Sequence, residues 1–186
     1  MTSATDATEK SPHPLASSSV LDTEGRAVTL GELFGARPLV VVFLRHFGCL
    51  FTKQQIDEVV RRYDELRAAG ADIAVIGNGS VEEARAFASE HALPFALFTD
   101  PTRESYCAVG LKHGLGTTLT PGVFARALRA RWSGFRQTKT AGDPLQQGGA
   151  LVFAPDGTEL YRHVSSAAGD HPNFDVILRL IARGAC

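Results

Sequence analysis

Cys49 carries the strongest chemical signal in the sequence. It follows the apolar, valine-rich run 39–44 and precedes Ile56, Val59, Val60, Tyr63 and Leu66, which recur at helical spacing. A cysteine at such a strand-to-helix junction sits at the positive end of the helix, where unsatisfied N–H groups favour thiolate over thiol. The thiolate is the nucleophile, and an ordinary thiol with a pKa of about 8.5 is only slightly ionised at neutral pH. Arg45 and His46 lie just upstream and offer positive charge or a proton relay. The plainer reading makes Cys49 a small buried hydrophobe and leaves Arg45 and His46 solvated at a strand end. Thr52 also reads two ways, as a first-turn hydroxyl satisfying a backbone N–H or as a donor to the Cys49 sulfur.

The other thiols carry less. Cys107, between Tyr106 and Val109, reads as a packing residue rather than a resolving thiol. Cys186 is the last residue and is a candidate to resolve an oxidised Cys49, within one chain or across two. Gly77-Asn78-Gly79-Ser80 lacks the spacing and the lysine of a phosphate loop, and a turn with a capping serine explains it better. Asp170-His171 near His163 lacks the further ligands of a metal site, so helix capping before Pro172 is the expected role and no metal or other cofactor is expected. Between Glu104 and Asp143 there is no acidic residue, while Lys112, Arg126, Arg129, Arg131, Arg136 and Lys139 fall there. With Val123, Phe124, Leu128 and Trp132 interleaved, this reads as an inserted helix with one basic face. That face is either simply solvated or a lid favouring an anionic or amphipathic substrate.

These residues need elements to hold them. Residues 39–44 have the pattern of a central strand covered on both faces. The helix after Cys49 should cover residues 50–69 and stop at Gly70. A second buried strand is expected at 72–76, and Ser80-Val81-Glu82-Glu83 is a capping box that starts the next helix. A third strand follows at 95–98, with Asp100-Pro101 opening a short helix. Strand and helix alternating at these spacings imply parallel crossovers. The last part changes to a hairpin, 150–153 and 159–164, and a closing helix with Pro172 in its first turn. A βαβ half followed by a ββα half is the order of a thioredoxin-like fold: α/β, with a central mixed sheet flanked by helices on both faces.

The 186 residues suit one domain with room for a tail. Residues 1–19, rich in Ser, Thr, Ala, Asp and Pro, read as a disordered leader, with the thioredoxin-like domain at 20–186. A net charge of -1 gives no global attraction to nucleic acid or anionic lipid. The longest apolar run, 38–44, is far short of a span of about 20 residues. Three cysteines, an odd number, argue against a disulfide scaffold. A reducing, cytoplasmic setting is the resulting expectation.

The stretch Phe43-Leu44-Arg45-His46-Phe47-Gly48-Cys49-Leu50-Phe51-Thr52-Lys53 resembles the active-site segment of the peroxiredoxin-like branch of the alkyl hydroperoxide reductase/thiol-specific antioxidant superfamily. That branch includes prostamide/prostaglandin F synthase. The resemblance runs from about Val20 to the C-terminus and includes 98–103, 147–149 and 169–172. It implies a thioredoxin-like fold and thiol-dependent reduction of peroxide-type bonds. Members commonly carry Cys-x-x-Cys at this turn; Thr52 stands in the second place here. Peroxidatic relatives also use a proline, a threonine and a distant arginine, and Val42, His46 and about Gly148 stand nearest those positions.

The expected function is a thiol-dependent oxidoreductase acting through the single nucleophile Cys49, with Arg45, His46 and Thr52 around it. Its partners would be a peroxide-type small molecule and an external thiol such as thioredoxin or glutathione. Two alternatives remain: a monothiol disulfide reductase, and a redox-inactive binding module that keeps the fold.

Overall fold

The computed structural model describes residues 13–114, 129, 132 and 142–184. Among the described residues seven strands form one mixed sheet: β1 (Ser19–Leu21), β2 (Ala27–Thr29), β3 (Leu39–Phe43), β4 (Asp72–Gly77), β5 (Ala96–Thr99), β6 (Gly149–Phe153) and β7 (Glu159–Val164), in the order β2-β1-β5-β4-β3-β6-β7. The three central strands β3, β4 and β5 are parallel, as the crossover spacing requires; β6 and β7 continue antiparallel beyond β3, and β1 and β2 beyond β5. Every residue of β3 and of β6 is buried, which is why both read as unbroken apolar runs.

The longer helices are α1 (Leu50–Ala68), α2 (Val81–His91) and a C-terminal helix (Phe174–Gly184), with a short α3 (Glu104–Ala108) between α2 and β6; the C-terminal one is α4 below. Alternation along β3 divides the core. Val40 and Val42 pack with Ile56 and Val59 of α1, Phe87 of α2 and Ile177 of α4. Val41 and Phe43 face the other way, onto Tyr106 of α3 and onto Leu15 and Leu30 from two 3-10 turns. The sheet is therefore covered on both faces, heavily by three helices on one and by shorter pieces on the other. Among the described residues no helix is long and apolar enough to cross a membrane.

Several expectations need correction. Residues 13–19, expected within a disordered leader, are ordered: Pro14–Ser17 forms a 3-10 turn and Ser19 enters β1. Leu15, fully buried against the sheet, supplies the apolar burial that offsets the ordering cost. Asp100-Pro101 does not open α3. The Asp100 carboxylate accepts from the backbone N–H groups of Arg103 and Ser105, so it closes a turn and the helix starts after Arg103. Pro172 likewise precedes α4, and Asn173 caps it by accepting from the N–H groups of Asp175 and Val176. Asp170 instead holds the preceding loop, accepting from Ser166. The Ser80 capping box forms as read. Of the basic segment, Arg129 and Trp132 are helical and exposed, and its other expected helix residues lie outside the described ones, as does Cys186.

One contact fixes the end of the central strands. The Tyr106 hydroxyl, fully buried, lies 2.8 Å from the carbonyl of Leu44 and 3.0 Å from that of Ile76. Burial pushes its ionisation far above the ordinary tyrosine range, so it remains a donor. Leu44 is the residue before Arg45, and Tyr106 thereby satisfies the carbonyl where β3 breaks into the Cys49 loop. Tyr106→Phe leaves the Leu44 carbonyl without that partner. It should lower unfolding free energy by about 1–3 kcal/mol in urea titration; an unchanged midpoint would show that the hydroxyl anchors nothing.

Candidate functional site

Residues 44–49 form the loop between β3 and α1, and Phe47 seats it. The Phe47 ring lies against Gly77 and Gly79; a Cβ on Gly77 would stand 2.2 Å from that ring. On its other side Phe47 packs on Phe87, with ring centroids 5.1 Å apart. The glycines that invited a phosphate-loop reading are there because an aromatic ring occupies the space of their side chains.

Cys49 is the N-cap of α1, with its N–H donating to the carbonyl of His46 at 3.0 Å. Its side chain is 3% exposed and packs with Phe51 and Ala168. The sulfur takes no capping hydrogen bond from the helix. Its close donor is Arg45, whose Nη1 lies 3.3 Å from Sγ. The helix end thus contributes position and field, and the direct contact comes from a side chain.

Arg45 is buried rather than solvated. Its Nη2 donates to the carbonyl of Pro144 at 2.9 Å and its Nε to that of Gln146 at 3.4 Å. No Asp or Glu among the described residues pairs with it, and residues 105–142 contain none at all. A guanidinium cannot shed its proton, and two carbonyls satisfy donors without balancing charge. The side-chain group it meets is the Cys49 sulfur, 3.3 Å away.

Two expected contributions change. His46 is buried, and burial together with the Arg45 charge lowers its pKa to about 4. It is uncharged at neutral pH and supplies no second cation. Its Nδ1 has no hydrogen-bond partner. Thr52 is 1% exposed, and its hydroxyl meets neither a backbone N–H nor the Cys49 sulfur. Both readings of Thr52 therefore fail; it is a buried hydroxyl without a partner. Cys107 is exposed on α3 rather than packed, because Ser105 and Tyr106 take the inward face.

Sequence reasoning overlooked the 142–147 segment, which supplies both carbonyls to Arg45. The Gln147-Gly148-Gly149 motif marked its neighbourhood only. A Cβ on Gly148 would stand 2.4 Å from the carbonyl of Phe43, so the chain must pass here without a side chain. The cation at the sulfur comes from Arg45, four residues before Cys49, and no side chain at position 148 provides one. Among the described residues no three metal-ligating side chains converge.

Residues 58–166 match the family described as AhpC/TSA antioxidant enzyme. The matched stretch starts after Cys49, so it bears on the surrounding fold and not on the cysteine. A chloroplastic thioredoxin-like protein of Arabidopsis thaliana is 31% identical over 170 residues, covering 86% of this chain and 68% of its own. Peroxiredoxin-like 2C of Mus musculus is 31% identical over 172 residues, covering 87% and 76%. Prostamide/prostaglandin F synthase of Salmo salar is 28% identical over 165 residues, covering 85% and 81%. Among solved structures, the bacterioferritin comigratory protein of Xanthomonas campestris, described for alkyl peroxide reduction, aligns with a TM-score of 0.64 at 18% identity, over 97% of this chain and 100% of that one. At that identity the likeness establishes the thioredoxin-like fold. The chain belongs to the AhpC/TSA antioxidant enzyme family, in its peroxiredoxin-like branch.

Proposed function

We propose that the protein is a thiol-dependent peroxidase-type oxidoreductase with Cys49 as its nucleophile. The observation that carries this reading is the buried Arg45 guanidinium, 3.3 Å from the sulfur and without a carboxylate partner among the described residues. The Cys49 thiolate attacks one peroxide oxygen, forming an S–O bond as the O–O bond breaks. The leaving oxygen departs as alkoxide or hydroxide and takes up a proton, leaving a sulfenic acid on Cys49. An external thiol then attacks that sulfur, releasing water, and a second thiol breaks the mixed disulfide to restore the thiolate. In this scheme Arg45 holds the anion before reaction and screens negative charge on the oxygens during it. His46, neutral at the start, serves as the proton relay.

Thr52 decides how the cycle closes. It lies in the first turn of α1, three residues after Cys49, where many relatives carry a second cysteine. Without one, the oxidised state waits for a reductant from outside, of the thioredoxin or glutathione class. The relatives named peroxiredoxin-like and the family description support this reading of the chemistry.

Limited hydrogen peroxide should oxidise Cys49 to a sulfenic acid detected by trapping and peptide mass spectrometry. Cys49→Ser should abolish it and Cys107→Ser should leave it, although a bulky maleimide should label the exposed Cys107 first. Peroxide oxidation confined to Cys107 would overturn the assignment. Thr52→Cys should form an internal disulfide with Cys49 after peroxide and gain turnover with a dithiol donor, because proximity raises the effective thiol concentration greatly. An introduced thiol that stays free in Thr52→Cys while Cys49 oxidises would contradict the proposed geometry of the first turn.

A further inference from the structure

We propose that Asp143 is a positioning residue for the reaction at Cys49, acting through the 142–147 strap and Arg45; this rests on the thiolate reading above. The two carbonyls that aim the guanidinium belong to Pro144 and Gln146, the first and third residues after Asp143. A carbonyl aims a donor only as well as its own backbone is fixed, and this strap is not part of the sheet. Asp143 is where it is fastened.

The fastening uses almost every polar atom of Asp143. Its Oδ2 pairs with Arg103 and with His113 Nε2, the latter at 3.0 Å. Its Oδ1 accepts from the N–H of Leu145 at 2.8 Å, which sets the turn carrying Pro144. Its own N–H donates to Asn78 Oδ1 at 2.8 Å. One residue thus ties the strap to the β4–α2 turn through Asn78 and to the start of α3 through Arg103. Gly142, at φ +98, lets the chain enter this corner: a Cβ there would stand 2.1 Å from Asn78 Oδ1.

Beyond Asp143 the strap is anchored from Leu145 onward, where the Gly114 N–H donates to the carbonyl of Leu145 at 3.2 Å, and none of these contacts is made to Pro144 itself. Gln146 Nε2 donates to the carbonyl of Lys112 at 3.2 Å, and the Gln147 N–H to the same carbonyl at 2.9 Å. Loss of the Asp143 side chain removes the ties to Arg103, His113 and the Leu145 N–H and keeps the main-chain contact to Asn78, so the turn that carries Pro144 should loosen first. The shorter of the two carbonyl contacts to Arg45 is at that end, so the guanidinium loses its better guide while the far end stays in place.

The test measures trapping of a Cys49 sulfenic acid in a single turnover with hydrogen peroxide, as a function of pH, in a Cys107→Ser background. Asp143→Ala should slow reaction at neutral pH by roughly tenfold and move the half-maximal pH upward by about one unit. Asp143→Asn keeps an acceptor for the Leu145 N–H and should recover part of the loss. Arg45→Ala placed on Asp143→Ala should add little beyond Arg45→Ala alone, since both act through one contact. Asp22→Ala, which removes the acceptor of the Glu24 and Arg26 N–H groups in the β1–β2 turn at the far edge of the sheet, controls for lost stability and should leave the pH profile unmoved. An unmoved profile in Asp143→Ala, or losses that add fully with Arg45→Ala, would overturn the positioning role and leave the thiolate reading intact. A parent Cys49 that does not react with peroxide would overturn both.

Discussion

A guanidinium has been taken out of water beside a thiol, and the local structure follows from that. Burying a cation costs several kcal/mol unless an anion and good acceptors meet it. Arg45 cannot relieve the cost by losing a proton, and the carbonyls of Pro144 and Gln146 satisfy its N–H groups without cancelling its charge. In the proposed chemistry, the counter-ion within its reach is the Cys49 sulfur as thiolate. The same charge helps keep the neighbouring imidazole of His46 neutral. One buried cation thus touches the sulfur and, together with burial, lowers the pKa of the imidazole.

Everything around the loop serves to keep that pair together. Tyr106 closes the ends of β3 and β4 one residue before Arg45. Phe47 seats the loop on Gly77 at the end of β4 and Gly79 in the turn after it, and so fixes the middle of the Arg45–Cys49 interval. Helix α1 begins at once after Cys49, its axis anchored by Ile56, Val59 and Leu66 in the core. Gly148 allows the chain that follows the strap to pass against the carbonyl of Phe43, bringing the carbonyls of Pro144 and Gln146 within reach of the guanidinium. Remote packing becomes local chemistry through backbone carbonyls whose positions it determines.

Much of this was legible in the sequence, for identifiable reasons. Unbroken apolar runs and helical spacing are strong local signals, and they placed β3, α1, β4 and the Ser80 capping box. Short-range turn chemistry was harder. Asp100 and Pro172 resemble helix starts, but the Asp100 carboxylate closes a turn and Pro172 lies before the Asn173 cap of α4. Leu15 looked stranded in a polar leader because its partners on the sheet are far away in sequence. At the site, residue type and position exposed Cys49 and Arg45, since a cysteine at a strand-to-helix junction and a nearby cation are visible together. The strap was not legible, because its contribution is made by main-chain carbonyls that any sequence possesses. Thr52 and His46 show the limit from the other side: their types invited hydrogen-bonding or charged roles, whereas burial leaves the hydroxyl unpartnered and the imidazole uncharged.

The most direct measurement is an ultraviolet titration of the thiolate in Cys107→Ser protein, compared with the same protein carrying Arg45→Ala or His46→Ala. If the buried guanidinium holds the sulfur as an anion, the Cys49 thiolate signal is present at neutral pH. It is then lost in Arg45→Ala until the solution is made more alkaline, and it survives in His46→Ala because that ring carries no charge there. Superimposable curves for the parent and Arg45→Ala would contradict this and leave Cys49 as a buried thiol beside an idle cation.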